Sequence, residues 1–375
     1  LEYRVQAELV VLSHLRWTFV WQRPQHIISR LATDRRTWFV EEPLACDVAA
    51  PRLCMENHGS VTRVWLEVPG DGHGVPGDGP GRHVGFDHLG AATYAQAVQQ
   101  LLGASENRTV WLYTPMALDI ANALQPSKLI YDVMDDLASF KGAPAELRLR
   151  HRQALRQADV VFTGGRSLHR GVLSHRPQGT HLFASGVEPE HFAAARTLRP
   201  ASRPAPVAGY VGVIDERVDL DLLRDTAAAL HDWEIHVVGP VAKIDPESLP
   251  QAPNLFYPGP QPYACLPEVM AGFDVALMPF ALNEATRSIS PTKTLEYFAA
   301  GLPVVSTRVP DVVAEHSAHV HLADDGPAFA DACRRARRRP RAGMDAVVRR
   351  NTWDSIAARM TAVIEGADSA VGELA

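Results

Sequence analysis

The segment Ser288–Ser306 carries the strongest chemical signal in the sequence. Ser290 suits the N-cap of a helix and Pro291 its first position, where the missing N–H costs nothing. Gly301 can close that helix in the left-handed conformation, and Pro303 prevents its continuation. Free amides around Thr292–Thr294 would attract a phosphate. Lys293 puts a cation in the first turn, where the helix dipole disfavours one unless an anion sits nearby. Glu296 lies three residues on, on the same side of the helix, where a carboxylate can accept hydrogen bonds from both hydroxyls of a ribose. A Lys293–Glu296 surface pair worth a few tenths of a kcal/mol would fit the same spacing.

Other polar groupings are weaker. Asp135 and Asp136 follow the apolar run Leu129–Val133, as either a helix cap or a reactive pair. Asp219-Leu220-Asp221 matches a D-x-D metal motif but reads as a helix start, where acids favour the dipole. Asp71, His73, Asp78 and His83 fall in the Gly- and Pro-rich stretch 69–85, which reads as a loop that forms no regular element. Their spacing matches no ligand pattern, and the four cysteines form no CxxC pair, so neither a metal site nor a disulfide framework is expected. Residues 334–341 contain six arginines and no acid. A solvated basic helix end accounts for them; an anionic membrane surface or a phosphate-bearing acceptor is the sharper reading.

The elements that must position these residues alternate between short β-rich runs and helical patterns, the signature of parallel βαβ sheets. Strands are expected near Leu9–Leu12, Thr37–Val40, Val61–Val68, Val110–Tyr113, Leu129–Val133, Val160–Thr163 and His181–Ala184. A second series follows a joint rich in proline at Pro200, Pro204 and Pro206. It covers Ala208–Val213, Ile235–Val238, Leu255–Tyr257, Val275–Met278, Val304–Ser306 and Val320–Leu322. Two doubly wound Rossmann-like domains facing a cleft, 1–195 and 196–350, are the economical α/β reading, and 375 residues suit two domains. Trp353, Ile356, Ala357, Met360 and Ile364 keep helical spacing, so 351–375 should be an amphipathic helix, expected to cross back onto the first domain. A formal charge of −6 gives no footprint of a nucleic-acid binder. No apolar run reaches membrane-spanning length, so a cytoplasmic protein is expected, with peripheral association at the inner face of the membrane open.

The segment Ser290–Tyr297 with Ala299-Ala300-Gly301-Leu302-Pro303-Val304-Val305 resembles the donor signature of retaining family 4 glycosyltransferases of the GT-B architecture. It looks closest to the S-P-x-K-x-x-E-Y variant of a bacterial subgroup associated with surface and capsular polysaccharide assembly, including teichuronic-acid-type enzymes. Trp21-Gln22-Arg23-Pro24-Gln25-His26, Tyr131–Asp136, Ser185-Gly186-Val187-Glu188 and Phe273–Phe280 resemble further segments of that subgroup in the same order. Two departures stand out. Ser288 occupies the place of the family's first glutamate, and Val213 that of a usual arginine.

The resemblance implies a glycosyltransferase using a nucleotide-diphosphate sugar, with UDP-sugar preferred, and a saccharide, lipid-linked or other small acceptor. It implies a retaining reaction, and the cationic cluster together with the lack of a metal-ligand set implies one that is metal-independent and uses no cofactor. Donor binding would fall to Glu296, Lys293, Thr292, Thr294, Ser290, Arg217 and Arg287. The acceptor side would use Arg16 and Arg23, with Asp135, Asp136 and His14 as catalytic candidates. The alternatives are a catalytically silent nucleotide-binding scaffold and a GT-B-type nucleotide-sugar epimerase. A nicotinamide-dependent enzyme is disfavoured because Gly209-Tyr210-Val211-Gly212 lacks the third glycine of the dinucleotide fingerprint.

Overall fold

The computed structural model describes residues 8–70, 82–86, 91–140, 143–339 and 342–366. The apolar runs pair into two sheets. The first contains β1 (Glu8–Ser13), β2 (Arg36–Glu41), β3 (Leu44–Cys46), β4 (Arg52–His58), β5 (Val61–Pro69), β6 (Arg82–His83), β7 (Arg108–Leu112), β8 (Lys128–Val133), β9 (Val160–Thr163) and β10 (Thr180–Leu182). Its order is β10-β9-β8-β7-β1-β2-β5-β3-β6, parallel except where β6 joins β3 and β4 joins β5. The second holds β11 (Val207–Val211), β12 (Glu234–Val238), β13 (Leu255–Gly259), β14 (Val275–Met278), β15 (Val304–Ser306) and β16 (His321–Leu322), in the order β13-β12-β11-β14-β15-β16 and parallel throughout. Strands such as Val275–Met278 are buried at every position because helices cover both faces.

Three strands escape the sequence pattern. β4 pairs antiparallel with β5 across Gly59, whose φ of 62° only glycine adopts without strain, and its side chains are mostly exposed. β3 and β6 are three and two residues long. The 69–85 stretch is therefore not wholly loop: β5 ends at Pro69, and Arg82–His83 pairs with Leu44 and Ala45. Asp71, His73 and Asp78 lie outside the described residues.

The chain crosses between the sheets earlier than its composition indicates. The helix Pro189–Leu198, assigned by composition mostly to the first domain, buries Phe192 and Ala195 in the core around Val207, Phe273 and Leu295. Arg196 donates to the carbonyls of Phe298 and Ala299, and Arg199 to that of Ala300. The prolines at 200–206 thus lead into β11 and do not mark the crossing. The return crossing runs beside the outward one: Val187 and Thr352 form a parallel bridge, flanked by Val187 N–H to the Asn351 carbonyl at 2.9 Å. Thr352 caps the next helix, Trp353–Ile364, by accepting from Ser355 N–H. Trp353, Ile356, Met360 and Ile364 then pack with Leu9, Trp111 and Phe162 of the first sheet and with Ile27 of the helix Arg23–Leu31. In each sheet the order reverses beside the first strand, at β1/β7 and at β11/β14. Loops leaving the carboxyl ends at these switch points form the walls of the cleft.

Candidate functional site

The helix Thr292–Ala299 begins one residue later than its sequence suggests. Pro291, not Ser290, is the N-cap, with φ −69° and ψ 113°, because the extended backbone needed before the first turn falls on the proline. At the other end Gly301 takes φ 70° and donates to the Phe298 carbonyl, while Leu302 donates to that of Tyr297. Thr294 through Ala299 are buried, and the Tyr297 hydroxyl accepts from Val211 N–H at 2.8 Å. This anchors the helix against the carboxyl end of β11.

Glu296 is 2% exposed, and its Oε2 accepts from Lys293 Nζ at 2.8 Å. Oε1 makes no hydrogen bond within the described residues. Both side chains line a cleft cavity of about 150 Å³ with Trp21, Asp135 and Arg217. An adjoining cavity of about 530 Å³ shares Val20, Trp21, Gly212 and Lys293 with it and extends along the loops after β12 and β13 to Pro240 and Pro262. Thr292 and Ser290 face the first domain: Thr292 Oγ1 donates to Ser185 Oγ, and Ser185 Oγ donates to the Ser290 carbonyl at 3.0 Å. Thr294 Oγ1 is buried and donates to Met278 Sδ, so of these three candidates only Ser290 and Thr292 line the cavity.

The arginine candidates separate sharply. Arg217 reaches the cavity, but both carboxylate oxygens of Asp215 bind it, the closest at 2.7 Å. Arg287 does not reach the site: it is 71% exposed and faces Glu284 of the same turn at 3.4 Å. Arg16 does not line the cleft cavities; its guanidinium is 4% exposed and paired at 2.9 Å with Glu41, which also binds Arg63 and accepts from Trp17 N–H. Arg23 borders the cavity, yet its donors are committed to Asp132 at 3.0 and 3.1 Å and to the Phe183 carbonyl at 2.7 Å. These two are clamps within the first domain, because a buried charge must be paired. His14 is half-buried and is not part of the cavity walls.

The acidic pair also divides. Asp136 is exposed and precedes the turn Leu137–Ser139, its carboxylate accepting from Ser139 Oγ at 2.6 Å and its carbonyl from Ser139 N–H, and it lines a cavity on the first domain but not the Glu296 cavity. Asp135 is half-buried, makes no hydrogen bond within the described residues, and lines two cavities at once. Burial raises its carboxyl above the ordinary aspartate value, while Arg217, Lys243 and Arg23 pull the other way.

Lys243 and Phe140 are absent from the sequence-based candidates. Lys243 Nζ sits 4.8 Å from the centroid of the Phe140 ring, and the Arg217 guanidinium is 5.6 Å from it. Two cations of the second domain thus converge on one aromatic ring of the first. Lys243 has φ 60°, a strained conformation for a side-chain-bearing residue and common at functional sites. Its place just beyond the carboxyl end of β12 is the one sequence signal that could have found it. Among the described residues no group of three or more His, Cys, Asp or Glu could hold a metal ion. Nor is any described helix long and apolar enough to cross a membrane.

Residues 205–338 match the Glycosyl transferases group 1 family. The chain is 30% identical over 176 residues to a protein of Bacillus subtilis (strain 168) assigned by name to teichuronic acid biosynthesis as the glycosyltransferase TuaH. That match covers 44% of this chain and 43% of the relative, so the chain spans less than half the length of the curated relative it matches. Over nearly its whole length the fold is similar to sucrose-phosphate synthase from Thermosynechococcus elongatus, with a TM-score of 0.69 at 15% identity, covering 96% of this chain and 99% of the other. It is similar also to HepE of Anabaena, solved with UDP and glucose, with a TM-score of 0.67 at 13% identity over 95% and 99% of the two chains. A UDP-forming trehalose-phosphate synthase from Burkholderia vietnamiensis gives a TM-score of 0.68 at 14% identity over 97% and 99%. The architecture is GT-B.

Proposed function

We propose that this chain, whose residues 205–338 match the Glycosyl transferases group 1 family, transfers a sugar from a nucleoside diphosphate sugar to an acceptor held by its first domain. The observation that carries this reading is the buried Glu296 carboxylate, with one oxygen on Lys293 and the other open, one turn into a helix whose first residues line the cleft. A nearly water-excluded carboxylate is costly unless a ligand satisfies it, and two vicinal ribose hydroxyls fit that requirement. The base would then extend into the larger adjoining cavity. The diphosphate would lie toward the amides of Thr292 and Lys293 and the cations Arg217 and Lys243. Uridine is the preferred base, on the likeness to the UDP-bound and UDP-forming neighbours.

In the reaction the acceptor oxygen forms a bond to the anomeric carbon as that carbon's bond to the diphosphate breaks. The leaving group gains negative charge where the cations and amides converge. In a retaining, same-face route the acceptor proton passes to the departing phosphate oxygen while Asp135 orients the hydroxyl. No metal is required in this scheme, since fixed cations do the neutralising. A chain stripped with chelator is expected to keep its transfer rate within about twofold; loss of activity with recovery on adding magnesium or manganese would overturn that part. The reading as a whole is tested by supplying a panel of nucleoside diphosphate sugars and measuring released nucleoside diphosphate together with a glycosylated product. Nucleotide binding with no turnover on any donor would favour the silent-scaffold reading, for which Ser288 in place of a glutamate is the motivating feature.

A further inference from the structure

A third cavity, of about 290 Å³, opens on the first domain beside the helix Leu147–Gln157. Asp135 belongs to its wall and also to the wall of the Glu296 cavity, so one carboxylate separates the two spaces. Ser288 of the second domain closes part of its rim. Along the helix, Arg148 and Arg152 are one turn apart, and both line this cavity. Neither forms an ion pair or a side-chain hydrogen bond within the described residues. Arg150, on another face of the same helix, is paired with Asp119 at 2.7 and 2.8 Å. Between the two free arginines, His151 is tied to the Tyr131 hydroxyl at 2.8 Å, and burial lowers its pKa, so it adds no charge at neutral pH.

The cavity is therefore polarised. Its inner end carries Asp135 facing the proposed donor, Asp136 lines it with one carboxylate oxygen held by Ser139 Oγ, and its helix wall carries Arg148 and Arg152, neither of them paired with either acid. Both arginines are exposed and solvated by water, and a carboxylate or phosphate at that end would exchange that water for charge-assisted hydrogen bonds, which an uncharged sugar cannot do. We propose that this cavity is the acceptor subsite and that it selects an acceptor bearing a negatively charged substituent, held by Arg148 and Arg152 while its reacting hydroxyl faces Asp135. This rests on the glycosyltransferase reading above.

Binding of three small probes to the full chain tests it without requiring turnover. Glucuronate supplies a carboxylate, glucose 6-phosphate a phosphate, and glucose neither. By ligand-observed NMR titration, at least one anion is expected to bind about tenfold or more tightly than glucose, a typical scale for charged hydrogen bonds. The stronger anion identifies the substituent. The double variant R148Q/R152Q should lose the preference while UDP affinity stays within about twofold, and R150Q should keep it. Equal binding of all three probes, a preference that survives R148Q/R152Q, or one lost equally in R150Q would overturn the proposal. Failure of UDP to bind the native chain would instead count against the donor reading, leaving the anion preference readable by itself.

Discussion

Lys243 of the second domain and Phe140 of the first meet across the cleft, the ammonium 4.8 Å from the ring centroid, with Arg217 on the same ring. The ring occupies the space beside the two cations that the proposed diphosphate would neutralise. Donor entry should therefore exchange a cation–π contact worth about 0.5–2 kcal/mol for charge-assisted hydrogen bonds.

If these cations hold the diphosphate, Lys243→Gln should weaken UDP by about tenfold or more and uridine by less than about twofold. Arg217→Gln should act in the same direction but less cleanly, because Asp215 would lose its partner as well. Calorimetric titration of both ligands checks this. Equal losses for UDP and uridine would place Lys243 outside the phosphate region.

Asp135 and Asp136 are adjacent in sequence but differ in surroundings, so their substitutions should separate. Asp135→Asn is expected to keep nucleotide affinity within about threefold while transfer falls by about a hundredfold, the scale of losing the alignment of a reacting group. Asp136→Asn keeps an acceptor for the Ser139 hydroxyl and should cost little of either. Initial rates and UDP titrations of the two variants decide it. Near-normal transfer by Asp135→Asn would move the acceptor chemistry elsewhere.

His26 gives a pH prediction. It is 1% exposed, stacks on Trp353 at 4.9 Å beside the domain crossings, and accepts from Trp21 Nε1–H at 3.0 Å. Burial, followed by the charges of Arg30, Lys293 and His191, pushes its pKa down to about 2, although Glu188 lies 3.8 Å away. A depressed histidine pKa means that its contribution to stability is complete above the unfolded value of 6.5 and is lost as pH falls from there toward 2. Urea unfolding between pH 6 and 4 should show the native chain losing about 1 kcal/mol more per pH unit than His26→Phe, close to the one-proton limit. Parallel pH profiles would contradict this.

The sequence showed the doubly wound architecture because each buried parallel strand is a short apolar run, as at Val160–Thr163 and Val275–Met278. It missed β4, whose side chains are mostly exposed, and β3 and β6, too short to carry a period. The proximity of Lys293 to Glu296 was readable because three residues along a helix fix it. The partners of Arg16 and Arg23 were not: Glu41 and Asp132 lie 25 and 109 residues away, and only the packed sheet brings them in. Arg287 was expected to replace the charge lost where Val213 stands for the usual arginine, yet its turn points to solvent. Lys243 was overlooked because no periodic pattern marks a single strained residue in a loop.

The central claim is that Glu296 holds the donor ribose, and one titration tests it most directly. UDP and its 2′,3′-dideoxy analogue are titrated into the native chain and into Glu296→Ala. The native chain should bind UDP about a hundredfold more tightly than the analogue, because a buried carboxylate loses two hydroxyl donors. Glu296→Ala should bind both alike and weakly, with transfer reduced by about a hundredfold or more. Equal binding of UDP and the analogue by the native chain, or unchanged UDP affinity and turnover in Glu296→Ala, would contradict the account.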